Sequence, residues 1–268
     1  MCLILFSYDP SSNAPLLLAA NRDEFFIRPS AAAHQWHDFP EVFAGRDLVA
    51  QGTWLGITQS GRFAAITNVR EPTVVVENPL SRGNLTRDFL THNMSAEEYL
   101  SNIEPLKHRY CGFNLLVGEL GAHNRELWYA SNRGDEPRHL DAGTYGLSND
   151  LLNSPWPKVT AGMTFIEDTQ NQVAFCQASN EEKHRQLRHY LENDSVANDD
   201  VLPRTGVSYE REKALSAAFI TLHDYGTRTS TALSIDGGTI AFSEKNYRLA
   251  ASQLVPKGHK YTYKEWSL

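Results

Sequence analysis

The chain has 268 residues, of which 41 % are hydrophobic, 10 % aromatic and 21 % charged. That composition builds a sizeable buried core and excludes intrinsic disorder for most of its length. A net charge of −7 argues against a general phosphate-backbone binder, so no nucleic-acid partner is expected. No apolar run reaches the ~20 residues of a membrane-spanning helix.

The N-terminal run Met1-Cys2-Leu3-Ile4-Leu5-Phe6 lacks a basic n-region and stops at Ser7-Tyr8-Asp9-Pro10, so it reads as a strand and not a signal. Leu3 to Tyr8 and Leu16 to Ala20 flank the turn cluster Asp9-Pro10-Ser11-Ser12-Asn13 and predict a hairpin. Thr53 to Thr58 and Arg62 to Thr67 flank Gln59-Ser60-Gly61 and predict a second. A capping box at Ser95-Ala96-Glu97-Glu98 opens a helix running to Ile103. Phe113 to Val117, Glu126 to Ala130 and Thr144 to Leu147 read as further strands. Asn180 to Leu191 reads as a helix, and so does Ser208 to Leu222, with Glu210 and Glu212 in its first turn. Asp236-Gly237-Gly238 joins Ser230–Ile235 to Thr239–Phe242 as a hairpin turn. Hairpins with helices between and after them predict an antiparallel α+β layered protein, one domain over 1–268. The three cysteines, at 2, 111 and 176, are odd in number and form no close pair, which argues against a disulfide framework or a zinc knuckle. A reducing cytoplasm is the expected location, and Cys111 and Cys176 are expected as buried core thiols. His34 and His37 suggest no third ligand, so no metal site is expected.

Three places can carry chemistry. Removal of Met1 exposes Cys2 with a free α-amine, whose pKa of about 7.7–8.0 suits it as general base to its own thiol. Asn21-Arg22-Asp23-Glu24 follows the strand Leu16 to Ala20, and hairpin geometry brings that end beside Cys2. A carboxylate there can hold the amine, and an arginine can polarise the thiol or grip a substrate carboxylate. Asn68 closes the strand from Arg62, where an amide can donate to a developing oxyanion.

These stretches resemble the NRDE family, also called the TANGO2 family (transport and Golgi organisation 2). The resemblance runs through Met1-Cys2, Asn21-Arg22-Asp23-Glu24, Gly52-Thr53-Trp54-Leu55-Gly56, Gly146-Leu147-Ser148-Asn149, Asn153-Ser154-Pro155-Trp156-Pro157-Lys158 and Tyr225-Gly226-Thr227-Arg228. Gln51 departs from it, standing where a second glycine is expected. The family is similar to the bile salt hydrolase and penicillin V acylase group. That likeness implies a four-layer αββα sandwich of two antiparallel sheets, the N-terminal nucleophile (Ntn) hydrolase fold, and a catalytic set of Cys2, Asp23, Asn68, Asn149 and Arg211. The group's arginine position holds Ala20, and Arg22 lies two residues on, on the same strand face. For the second asparagine, both Asn149 and Asn153 match in part; Asn149 is preferred because it ends a predicted strand. Arg22, Asn21, Trp54, Asn153, Trp156 and Arg228 complete the expected substrate-binding set.

Two readings of function follow. In the first, a cysteine hydrolase cleaves the C–N bond of a small non-peptide amide and needs no cofactor. In the second, the cleft is a carrier for haem or for an acyl-lipid or acyl-CoA, walled by Trp54, Trp156 and other apolar groups. The cleft is expected to be apolar, with few charges beyond Arg22, Arg211 and Asp23.

Overall fold

A computed structural model describes residues 2–122, 124–250 and 253–268, with side chains described outside 248–260. The N-terminal hairpin is β1 (Cys2–Tyr8) and β2 (Leu16–Phe25), closed by Asp9 N–H donating to the Pro15 carbonyl at 3.0 Å. The chain continues through β3 (Ser30–Gln35), β4 (Val42–Asp47), β5 (Leu55–Thr58) and β6 (Arg62–Asn68). Helices α1 (Gly83–Thr91) and α2 (Ala96–Ile103) precede β7 (Phe113–Leu120), β8 (Arg125–Ser131), β9 (Arg138–His139) and β10 (Gly143–Leu147). Then come α3 (Pro157–Gln170), α4 (Val173–Gln177), α5 (Asn180–Leu191) and α6 (Tyr209–Leu215). Strands β11 (Tyr225–Asp236), β12 (Thr239–Ala250) and β13 (Gln253–Ser267) close the chain.

Two antiparallel sheets result, ordered β10-β1-β2-β11-β12-β13 and β3-β4-β5-β6-β7-β8-β9. Alternation along β1 and β2 dictates the layering. Ile4, Phe6, Tyr8, Leu16, Leu18 and Ala20 face the second sheet and meet Leu55, Ile57, Phe63 and Leu116 in the central core. Leu3, Leu5 and Ala19 point the other way, onto Val159 and Ile166 of α3 and Leu187 and Leu191 of α5. On the far side, Leu85, Phe89 and Leu100 of α1 and α2 cover Ala64, Leu115 and Val117. The layers are helix, sheet, sheet, helix: the αββα architecture that the family resemblance implies, built from the antiparallel hairpins. Gly162 lets α3 lie close on β1, since a Cβ there would stand 2.4 Å from Leu5 Cδ1.

Ser95 caps α2 by accepting from Glu98 N–H, and α5 has the predicted bounds. Strands β11 and β12 run beyond their predicted bounds, β3, β4, β9, β13, α1, α3 and α4 are additional to the predicted elements, and two elements differ for a reason the packing shows. Strand β2 does not stop at Ala20. It runs to Phe25 because both of its edges are paired, Cys2↔Arg22 and Leu3↔Asn21 on one side and Asp23↔Thr227 and Phe25↔Tyr225 on the other. Helix α6 ends at Leu215 instead of Leu222 because the following backbone is claimed by tertiary partners. The Leu215 carbonyl accepts from Lys158 Nζ at 2.9 Å, the Ala218 carbonyl from Asn21 Nδ2 at 2.8 Å, and Ile220 N–H donates to Thr227 Oγ1 at 2.9 Å.

Candidate active site

Three strand ends meet where the sheets part. β1 starts at Cys2, which lies directly opposite Arg22 on β2; opposed residues of an antiparallel pair share a face. Asp23 follows on β2, and Asn68 ends β6 on the facing sheet. All four line one cavity of about 530 Å³, together with Trp54 and Cys111. Next to it the β2–β11 register shifts between Thr227 and Thr229, leaving Arg228 as the extra residue of a bulge.

Hydrogen bonds separate the roles of the two asparagines. Asn149 Nδ2 donates to both the main-chain and side-chain oxygens of Asn68, each at 3.1 Å. Asn149 is thereby committed to bracing, and it does not line the cavity. Its hold on Asn68 Oδ1 fixes that amide, and Asn68 Nδ2 is left with one long contact, 3.4 Å to the Val69 carbonyl. The neighbouring Ser148 Oγ donates to the Cys2 carbonyl at 3.0 Å. The Asn149 amide is thus turned onto Asn68, and of the two asparagines expected in the site it is Asn68 that lines the cavity.

Around Asp23 the structure places charge that sequence reasoning missed. Asp23 Oδ1 accepts from Thr227 Oγ1 at 2.7 Å, and Tyr225 donates its hydroxyl to the Asp23 carbonyl at 2.9 Å. Lys158, second residue of α3, is 6 % exposed and points inward. Burial pushes its ammonium down to about 8, while Asp23 pulls the other way. A lysine in a helix's first turn opposes the helix dipole, the signal in Pro157-Lys158 that could have flagged it. Beside it, Arg70 and Glu212 form a buried ion pair of 2.6 Å, with Arg70 stacked over Trp156. Burial raises the Asp23 carboxyl, opposed by Lys158 and the Thr227 hydrogen bond. Burial likewise raises the Cys2 thiol; Asp23 adds to that rise and Arg22 opposes it.

Other predicted residues lie elsewhere. Arg211 is exposed on α6, 5.9 Å from the Tyr225 ring, because the phase of that helix turns Glu212 inward instead. Asn21 faces the helices: its Nδ2 donates to the Leu191 and Ala218 carbonyls and its Oδ1 accepts from Ser230. Asn153, with φ of +62°, is a turn residue whose Oδ1 accepts from Gly146 N–H at 2.9 Å. Arg228 Nη1 donates to the carbonyls of Phe25, Phe26 and Arg28 and so shapes the cavity wall from behind. Trp156 lines a neighbouring cavity of about 440 Å³ with Arg70 and Asn149. Trp54 stays in the Cys2 cavity, beneath the Arg22 guanidinium at 4.3 Å. The two other thiols are not core residues: Cys111 is partly exposed on the cavity wall, and Cys176 is exposed, donating to the Gln170 carbonyl. The cleft is not apolar either. Glu24, Arg28, Asp47 and Arg82 join Arg22 and Asp23 on its walls: Glu24 and Asp47 from the ends of β2 and β4, Arg28 and Arg82 from the segments after β2 and before α1.

The family profile for "Transport and Golgi organisation 2" matches residues 1–248. The chain belongs to the TANGO2 family. It is 39 % identical to the Transport and Golgi organization protein 2 homolog of Bos taurus over 260 residues, 92 % of this chain and 93 % of that one. Against the Homo sapiens homolog it is 36 % identical over the same shares, and against the Drosophila melanogaster protein 30 % identical over 88 % of each chain. Among solved structures it is similar to a C2A mutant of the conjugated bile acid hydrolase of Clostridium perfringens, with a TM-score of 0.44 and 9 % identity over 98 % of this chain and 96 % of that one. It is also similar to a Caenorhabditis elegans ortholog of N-acylethanolamine-hydrolyzing acid amidase, with a TM-score of 0.40 and 9 % identity over 88 % and 93 %. Among the described residues no helix is long and apolar enough to cross a membrane.

Proposed function

We propose that this TANGO2-family chain is a cysteine amidohydrolase acting on small non-peptide amides once Met1 has been removed. The supporting observation is the shared cavity of Cys2, Asp23 and Asn68, with the Asn68 amide oxygen held by Asn149 and its nitrogen making one long contact to the Val69 carbonyl. In this reading the Cys2 thiol attacks the amide carbonyl and its proton passes to the Cys2 α-amine. Asn68 Nδ2 donates to the oxyanion; a donor of this kind is worth roughly 2.7–4 kcal/mol in other acyl-transfer sites. The ammonium protonates the departing amine as the C–N bond breaks, leaving a thioester. Water, deprotonated by the same amine, then releases the carboxylic acid. Asp23 holds the ammonium form, and Lys158 opposes the rise that burial imposes on the Asp23 carboxyl. No cofactor is required. The free thiols support a reducing compartment, the cytoplasm, as the place of action, and we take the whole chain, 1–268, as the working domain.

A second reading uses the same cavity as a carrier site for haem or an acyl chain. It draws on the apolar wall of Phe25, Trp54, Ile66 and Leu80 and on the burial that holds the Cys2 thiol protonated. Labelling natively expressed protein with a β-lactone separates the two. The hydrolase reading expects one adduct on Cys2 that is lost in Cys2→Ser. A protein that binds haem or acyl-CoA saturably but never labels at Cys2 belongs to the carrier reading.

A further inference from the structure

We propose that the Cys2 cavity holds an oxyanion between Arg22 and the N-terminus of α1, so that its substrate is an anionic amide. This rests on the reading of the cavity as a substrate site. Two independent features converge on the same space.

The first is Arg22. Its side chain is 6 % exposed, its guanidinium lies over Trp54 at 4.3 Å, and its Nη1 is buried with no hydrogen-bond partner among the described residues. The nearest acid, Glu24, reaches Nη2 only at 3.7 Å. A buried guanidinium nitrogen left unpaired is costly, and the cavity it lines is where an acceptor could satisfy it.

The second is the start of α1. Ser81, Arg82 and Gly83 line the cavity, so the helix begins at its wall. The nine-residue helix has no side-chain cap and no acidic residue in its first turn; its Asn84 and Leu85 N–H groups donate to the Ser81 and Arg82 carbonyls, so what it offers an anion is the positive end of its dipole. Arg82 sits at the cap position. Its Nη1 donates to the Gly112 carbonyl, and it makes no ion pair among the described residues. The helix start is held in place: Thr53 N–H donates to the Gly83 carbonyl at 3.1 Å, and Gly52 packs so tightly that a Cβ there would stand 2.4 Å from Gly83 C.

The acids of the cavity are already engaged. Asp47 takes Arg28 Nε at 2.6 Å and the N–H groups of Val49 and Ala50, Asp23 takes Thr227, and Glu24 accepts from Phe25 N–H at 2.9 Å and lies 3.9 Å from Arg28 Nε. The donors left over therefore belong to Arg22 and Arg82, with the positive end of the α1 dipole beside them. That donor set recognises a carboxylate, a sulfonate or a phosphate. Because Arg22 lies opposite Cys2 across the β1–β2 pairing, the anion belongs near the scissile bond and not at the end of a long tail.

The test uses the Cys2→Ala protein, which binds without turnover. Calorimetry with N-dodecanoylglycine, N-dodecanoyltaurine and N-dodecanoyl-phosphoethanolamine is compared with neutral N-dodecanoylethanolamine. At least one anion is expected to bind tenfold or more tightly than the neutral amide, and its identity names the oxyanion. Arg22→Met, which keeps the apolar contact with Trp54, and Arg82→Gln should each abolish that preference. Equal binding of all four amides, or a preference that survives both replacements, overturns the proposal. An anion preference in a protein whose wild type hydrolyses none of them leaves the oxyanion site standing and removes the hydrolase. Turnover without the preference does the reverse.

Discussion

Replacing Asn21 by alanine separates a structural residue from a substrate contact within the Asn-Arg-Asp-Glu motif. Asn21 is 1 % exposed. Its Nδ2 donates to the Leu191 carbonyl at 2.9 Å and the Ala218 carbonyl at 2.8 Å, and its Oδ1 accepts from Ser230 Oγ at 2.6 Å. The alanine deletes all three bonds and leaves two buried carbonyls without that donor, at about 1–3 kcal/mol each. Ser230 loses less, because its oxygen still accepts from the Tyr247 hydroxyl. The sum is roughly 2–6 kcal/mol. For a chain of 268 residues, an unfolding entropy of about 2.1 cal/mol/K per residue makes 1 kcal/mol worth about 2 °C, so the melting temperature should fall by roughly 4–12 °C. Differential scanning calorimetry reads this directly, and binding of N-dodecanoylglycine by the folded variant should be unchanged. An unchanged melt with weakened binding would refute the reasoning and return Asn21 to the substrate site.

Three further outcomes follow from local geometry. His184 is buried between Ser234 and Ser243, and burial, helped by Arg188 and Lys183, pushes its pKa down to about 3. A base depressed in the folded state is protonated first in the unfolded chain. Its stabilisation is therefore complete above pH ~6.5 and declines toward pH 3 by up to about 1.4 kcal/mol per unit; urea unfolding at pH 4–7 should show a shallower slope in His184→Gln. Gly52→Ala drives a methyl into the Gly83 backbone and should cost about 1–3 kcal/mol while weakening anion binding, read by melting and calorimetry on one sample. Gln51 sits at φ +59°, a left-handed conformation that explains the glycine expected there, and Gln51→Gly should change stability by less than about 1 kcal/mol in chemical denaturation.

The hairpins were legible because alternation and turn residues are local. Asp9 to Asn13 can only close β1 onto β2, and Ser95 signals its helix within four residues. Cys2, Asp23 and Asn68 could be placed together because hairpin geometry carries strand ends with it. Lys158, Arg70 and Glu212 could not, since in sequence they are ordinary charged residues and only the packing of α3 and α6 against the sheet buries them. The same limit explains Arg211: the resemblance reached the right helix, but the phase of α6 turns Glu212 inward instead. The charged cleft was hidden because Arg28, Asp47 and Arg82 come from three separate stretches of the chain, two loops and the end of β4.

The most direct test of the account is the mass of the N-terminal peptide from natively expressed protein, quenched in acid during turnover of N-dodecanoylglycine. The account predicts a peptide beginning at Cys2 and carrying one dodecanoyl group, absent from Cys2→Ala. A peptide that still begins at Met1, or one that begins at Cys2 and stays unmodified while the amide is cleaved, would contradict it.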